Sequence, residues 1–91
     1  MSLNTVLHKI DGEIDLALDR LISLLKIPSI STDPAYKGDC RTAAETIVND
    51  LATIGFDARV RDTPGHPMVG AHGGPDPVDG LPHLLFYGHY D

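Results

Sequence analysis

The spacing of apolar residues changes once along this chain, close to Gly55. Before that point, apolar residues recur at steps of three and four, which is the period of one face of an α-helix. After it they alternate with polar residues over a short stretch, which is typical of a half-exposed strand. The change predicts helices followed by strands, and therefore an α/β fold in which helices cover a mixed sheet.

The first predicted helix spans about residues 4–26. Asn4 or Thr5 could cap its start, since both side chains can accept a hydrogen bond from a free backbone N–H. Pro28 ends the helix, because the residue before a proline is pushed out of the helical region. The apolar stripe of this helix consists of Leu7, Ile10, Ile14, Leu18, Leu21, Ile22 and Leu25.

The second predicted helix spans about residues 40–54 and follows a loop at 27–38. Asp39 is a plausible N-cap, and Gly55 is well placed as the residue that closes the helix. Cys40 lies near the helix start, where a thiol pKa can be lowered, but no protease signature surrounds it. We expect it to be a small packing residue.

Three strands are predicted after the helices. Residues 56–62 alternate in polarity and suit a strand near a sheet edge, and 68–72 form a short second strand. Residues 73–82 are rich in glycine and proline and predict a loop or hairpin tip. The apolar run at 83–87 shows no alternation, so we expect a strand that is buried on both faces. Such a strand needs neighbours on both sides, which the edge-like strands before it do not supply.

Length and charge narrow the functional classes. The 91 residues make one small domain or part of a larger one. The net charge is −6 and the basic residues are scattered, which argues against nucleic acid as a partner. With one cysteine, no evident signal peptide and no long apolar run, we expect a cytoplasmic protein with no membrane partner.

His89 and Asp91 are the candidate site residues. They follow the predicted strand at 83–87, and ligands in open sheets gather at the carboxyl ends of strands. A neutral imidazole binds zinc, and a carboxylate on its other ring nitrogen fixes the tautomer. In an extended chain, residues two apart project to the same side. A polar loop after a strand is the alternative interpretation of the same residues. The other histidines are expected to be structural or exposed: His8, His66, His72 and His83.

Several motifs in succession resemble a known family. The chain is similar to the N-terminus of the di-zinc exopeptidases that include carnosine dipeptidases, aminoacylases, carboxypeptidase G and succinyl-diaminopimelate desuccinylase. Gly-His-Tyr-Asp, with Gly-His-Pro upstream, looks most like the dipeptidase branch. The motifs are Leu-Leu-Lys-Ile-Pro-Ser-Ile-Ser at 24–31, Arg-Thr-Ala-Ala-Glu at 41–45, Leu-Ala-Thr-Ile-Gly-Phe at 51–56, Thr-Pro-Gly-His-Pro at 63–67 and Leu-Leu-Phe-Tyr-Gly-His-Tyr-Asp at 84–91.

The resemblance implies a role for each matching residue. His89 matches the family's first metal-binding histidine, and Asp91 matches the aspartate that orients it and assists catalysis. The implied protein binds two zinc ions, with cobalt or manganese as possible substitutes, and cleaves small peptides or N-acyl amino acids as a homodimer. The family's other ligands and its inserted dimerisation domain have no counterpart here. Residues 1–91 are then the first portion of a mixed-sheet catalytic domain, expected to be inactive alone and to bind zinc weakly.

A second class of protein stays open. The chain could be a non-catalytic small α/β interaction module in which the His-Tyr-Asp triplet at 89–91 is incidental.

Overall fold

The computed structural model describes residues 2–74 and 80–91. These residues form a mixed α/β structure of two α-helices and a two-stranded antiparallel sheet. The elements in chain order are helix α1 (Leu3–Leu25), a 3₁₀ turn (Pro34–Tyr36), helix α2 (Lys37–Thr53), strand β1 (Asp57–Arg61) and strand β2 (Met68–His72).

Helix α1 confirms the first predicted helix, but the expected cap is wrong. Ser2 is the N-cap, and its Oγ accepts a hydrogen bond from the backbone N–H of Thr5 at 3.2 Å. Asn4 and Thr5 therefore lie inside the first turn. The helix ends at Leu25, before Pro28, as expected. Its apolar stripe is largely exposed in the described residues.

Helix α2 starts earlier than the sequence suggested. The 3₁₀ turn leads directly into it, and Asp33 caps that turn by accepting the backbone N–H of Ala35 at 2.9 Å. The N-cap of α2 is Tyr36, which makes no side-chain capping bond, so Asp39 is not an N-cap. It lies in the first turn of α2, where a negative charge is favourable next to free backbone N–H groups.

Gly55 closes α2 as predicted. It adopts a φ of 93°, a left-handed conformation that glycine reaches without strain. Its N–H donates to the carbonyl of Ala52 at 3.1 Å, and the N–H of Phe56 donates to Leu51 at 3.1 Å. This pair of bonds is a Schellman motif, and it turns the chain out of the helix and into β1.

The core lies where α2 packs on the β1–β2 hairpin. Cys40, Ala43 and Ala44 are the fully buried side chains of the described residues, with Cys40 only 1% exposed. Small side chains let the helix approach the sheet closely. Cys40 is thus the packing residue that its sequence context suggested.

The hairpin confirms the alternation seen in the sequence. Val60 pairs with Val69 across the ladder, and Asp57 pairs with His72. Ala58 and Val60 are half-buried, whereas the residues between and beside them are exposed. This is the expected pattern for a strand with one face on a helix.

The predicted third strand is wrong. Residues 83–87 belong to no helix or strand, and Leu85 is 94% exposed where burial on both faces was expected. A strand forms only against a hydrogen-bonding neighbour, and among the described residues β1 and β2 pair with each other alone. The apolar run therefore stays outside the sheet. Of the predicted loop at 73–82, positions 75–79 lie outside the described residues.

Candidate functional site

Three segments that are distant in sequence meet around Asp91: the loop after α1, the turn between β1 and β2, and residues 88–91. The Oγ of Ser31 donates to Asp91 Oδ2 at 2.5 Å, and the Oγ of Ser29 donates to the Tyr90 carbonyl at 3.0 Å. The hydroxyl of Tyr90 donates to the carbonyl of Pro67. These bonds tie the candidate site residues to both earlier segments.

The loop after α1 is shaped by local hydrogen bonds. The N–H of Ser29 donates to the Ile27 carbonyl, and the N–H of Ile30 donates to the Pro28 carbonyl, both at 2.8 Å. Each bond spans only two residues, which is the pattern of a γ-turn. After these two successive turns, the hydroxyls of Ser29 and Ser31 lie within hydrogen-bond distance of Tyr90 and Asp91.

The turn at 63–67 holds His66 in place. Thr63 Oγ1 donates to the His66 carbonyl at 2.6 Å and accepts the N–H of Gly65 at 3.0 Å. His66 Nε2 lies 2.7 Å from the carbonyl oxygen of Ser31. A carbonyl can only accept, so Nε2 carries the proton. Nδ1 of His66 is buried and has no hydrogen-bond partner among the described residues.

The structure brings His89 and Asp91 together. His89 Nδ1 lies 3.5 Å from Asp91 Oδ1, which is an electrostatic contact rather than a short hydrogen bond. On the other side of the ring, Nε2 lies 3.0 Å from the hydroxyl of Tyr87, and the two rings meet edge to face. The His89 side chain is 75% exposed.

This arrangement favours one tautomer of His89. A carboxylate only accepts, so the nitrogen facing Asp91 is the one that carries hydrogen. Nε2 then has a free lone pair, which accepts the hydroxyl hydrogen of Tyr87. A lone pair on Nε2 is also what a metal ligand needs.

Asp91 is held in its charged form. The hydrogen bond from Ser31 lowers the pKa of Asp91 below its ordinary value, and its own backbone N–H, His89 and His66 act in the same direction. Burial raises the pKa of the neighbouring Tyr90, and the nearby Cys40 and Asp91 side chains add to that effect. The site therefore favours a carboxylate at Asp91 and a neutral phenol at Tyr90.

An open groove runs beside these residues. Its lining combines the apolar end of α1 and the loop after it with His89 and Asp91. The lining residues are Leu21, Leu24, Leu25, Ile27, Pro28, Ser29, Ile30, His89, Tyr90 and Asp91. A lining of apolar and polar side chains together suits a small ligand that carries both kinds of group.

The residues present fit one metal ligand together with a carboxylate beside its other ring nitrogen. His89 offers a nitrogen lone pair, and Asp91 offers the acceptor that fixes its tautomer. Over residues 2–74 and 80–91, no group of three or more His, Cys, Asp or Glu side chains is arranged to hold a metal ion. In the same part of the chain, no helix is long and apolar enough to cross a membrane.

Sequence reasoning missed the contribution of Ser31. His66 was expected to be structural or exposed, and it is half-buried and hydrogen-bonded, which fits a structural role. His8, His72 and His83 are exposed, as expected. Ser31 gave no signal of its own, because its partners are 35 and 60 residues away.

Comparison with protein-family models, curated proteins and solved structures gave no match.

Proposed function

We propose that this chain contributes the first metal-ligand corner of a metal-dependent hydrolase of peptide or amide bonds, of the dipeptidase-like type. The observation that carries the proposal is the pairing of His89 with Asp91, which leaves the Nε2 lone pair of His89 directed away from the carboxylate. The motif succession that ends in these residues gives the same assignment.

In this proposal His89 is a metal ligand through Nε2. The hydroxyl of Tyr87 stands at that nitrogen and would have to move aside, which is easy because Tyr87 is 85% exposed. The Asp91 carboxylate lies 3.5 Å from Nδ1 of His89, and a negative charge at that nitrogen makes the imidazole a better donor to the metal. Asp91 also assists catalysis as a fixed negative charge at the edge of the groove.

Two bound zinc ions, or cobalt or manganese in their place, would polarise the scissile carbonyl and lower the pKa of a water molecule. A catalytic zinc site takes about three protein ligands. His89 supplies one ligand, so the proposal requires the other ligands to come from residues outside 1–91. In that setting the helices and the hairpin form the N-terminal part of a larger mixed-sheet catalytic domain. The whole protein would be a cytoplasmic homodimer acting on small peptides or N-acyl amino acids.

The metal-ligand role is tested by NMR on the ¹⁵N-labelled chain during titration with Zn²⁺. We expect the ring nitrogens of His89 to shift at high micromolar to millimolar zinc, with Nε2 affected first. His89→Asn abolishes the response, whereas His72→Asn, which changes an exposed histidine at a strand end, leaves it intact. An equal zinc response at His72 and His89 would remove the basis for the proposal.

The hydrolase role is tested on the protein as its gene encodes it, with dipeptides and N-acetyl amino acids as substrates. We expect activity that a chelator removes and zinc restores, and that His89→Asn and Asp91→Asn both lower strongly. Hydrolysis that survives chelation or His89→Asn would contradict the assignment.

The second candidate is a non-catalytic interaction module. The exposure of the apolar run at 84–87 favours it, because such surface commonly marks a place of contact. A protein that shows no zinc response at His89 and no hydrolysis, yet binds a partner through this run, would fit the module instead.

A further inference from the structure

We propose that Ser31 is the positioning residue that holds the Asp91 carboxylate beside His89, and that His66 in turn holds Ser31. The chain of contacts runs from the His66 ring to the Ser31 carbonyl, and from the Ser31 hydroxyl to Asp91. It ends at the contact between Asp91 and His89. Its meaning for metal binding rests on the proposed function, but the positioning itself does not.

The two oxygens of Asp91 have different partners. Oδ2 accepts the Ser31 hydroxyl at 2.5 Å, and Oδ1 faces His89 Nδ1 at 3.5 Å. When one oxygen of a carboxylate is held by a hydrogen bond, the other oxygen can point in only a narrow range of directions. Neither side chain is well packed, since Asp91 is 41% exposed and His89 more so. The Ser31 hydrogen bond is therefore what fixes the rotation of Asp91.

Ser31 can act in this way because it is itself anchored. Its carbonyl accepts the Nε2 hydrogen of His66 at 2.7 Å, and Thr63 locks the backbone of His66 from the other side. His66 lies on the turn between β1 and β2, so its hydrogen bond fixes Ser31, in the loop after α1, relative to the hairpin. A serine on an unanchored loop could move together with Asp91 and would not restrict the rotamer of the Asp91 side chain.

Ser29 provides a matched control within the same loop. Its hydroxyl also donates across to the 88–91 segment, but it bonds to the backbone carbonyl of Tyr90 instead of a carboxylate. Removing the Ser29 hydroxyl loosens the segment without touching the Asp91 side chain. Comparing Ser29→Ala with Ser31→Ala therefore separates general loosening from loss of positioning.

The test measures the side-chain rotamer of Asp91 by three-bond scalar couplings in the labelled chain. We expect the wild type to show one dominant rotamer and Ser31→Ala to lose it. Ser31→Thr keeps a hydroxyl and restores the rotamer, and Ser29→Ala retains it. Amide shifts in α2 report whether each variant is folded. Wild-type couplings in Ser31→Ala, or equal averaging in Ser29→Ala, would overturn the inference.

A cobalt titration, followed at the His89 ring, tests whether the positioning of Asp91 affects metal affinity. Loss of an outer hydrogen bond to a metal site costs about 10-fold to 100-fold in affinity, and we expect the lower end for Ser31→Ala. If the wild type shows no cobalt response at His89, the proposed function fails while the Asp91 couplings still decide the role of Ser31. If cobalt binds but Ser31→Ala matches the wild type in both readouts, the inference fails and the proposed function stands.

Discussion

The ring of Phe56 fills the space that a side chain at Gly73 would need. A Cβ built on Gly73 would lie 2.6 Å from two ring carbons of Phe56, well inside van der Waals contact. Phe56 leads out of α2 into β1, and Gly73 directly follows β2. The contact therefore closes the open end of the hairpin against the end of the helix.

Gly73→Ala should destabilise the protein, because Phe56 must rotate away from its place. Overpacking of a well-packed core costs about 1 to 3 kcal/mol, and we expect the lower end here because Phe56 is 38% exposed. Gly38→Ala is the control, since a Cβ there meets nothing within 4 Å and alanine favours the helix by about 0.5 to 1 kcal/mol. Urea unfolding followed by circular dichroism measures both changes. Equal midpoints for the two variants would contradict the close contact.

Cys40→Ser should also lower the free energy of unfolding. Cys40 is buried between α2 and the hairpin, and a hydroxyl without a partner there costs about 1 to 3 kcal/mol. Cys40→Ala removes the sulfur without adding a polar group, so the difference between the two variants isolates the cost of the hydroxyl. Urea unfolding followed by circular dichroism measures the stability of both variants. A serine variant as stable as the alanine variant would mean that the hydroxyl finds water or a partner.

Asp91 should titrate below the ordinary pKa of an aspartate, mainly because of the Ser31 hydrogen bond. Since the pKa is lower in the folded state, its contribution to stability is present above the unfolded value of about 3.9 and is lost as the pH falls through the folded value. The pH dependence of the carboxyl ¹³C shift of Asp91 gives the midpoint of its titration. Ser31→Ala should raise this midpoint, and Ser29→Ala should leave it unchanged. A midpoint at or above 3.9 in the wild type would contradict the hydrogen bond.

The 91-residue chain should self-associate as its concentration rises. Residues 84–87 and the stripe of α1 expose apolar side chains that water solvates poorly. Leu85→Lys places a charge in the most exposed part of this surface and should shift sedimentation toward the monomer. A wild-type chain that stays monomeric at all concentrations and unfolds cooperatively would count against this expectation.

The helices were predictable because their signals are local. The apolar stripe, Pro28 and Gly55 each act within a few residues, so the ends of α1 and α2 can be predicted from the sequence alone. The start of α2 was misplaced because Asp33 caps a 3₁₀ turn that continues directly into the helix. Nothing in the periodicity of α2 itself marks that turn.

The candidate site and the predicted third strand depend on contacts between residues that are distant in sequence. Local sequence patterns do not encode such contacts, so these two features were predicted less well than the helices. A strand at 83–87 requires a neighbour, which an apolar pattern cannot supply. His89 and Asp91 are near each other in sequence, so their proximity could be expected. The bonds from Ser31 and His66 join segments that only the folded hairpin brings together.

The hydrogen bond between Ser31 and Asp91 also has a kinetic consequence. It joins residues 60 positions apart, whereas α2, β1 and β2 are consecutive in the chain. Closing a longer loop costs more chain entropy, so long-range contacts form after local ones. We therefore expect the helix and hairpin to assemble first and the 88–91 segment to dock onto them afterwards. Amide hydrogens at the candidate site should then exchange through brief local openings while those of α2 stay protected.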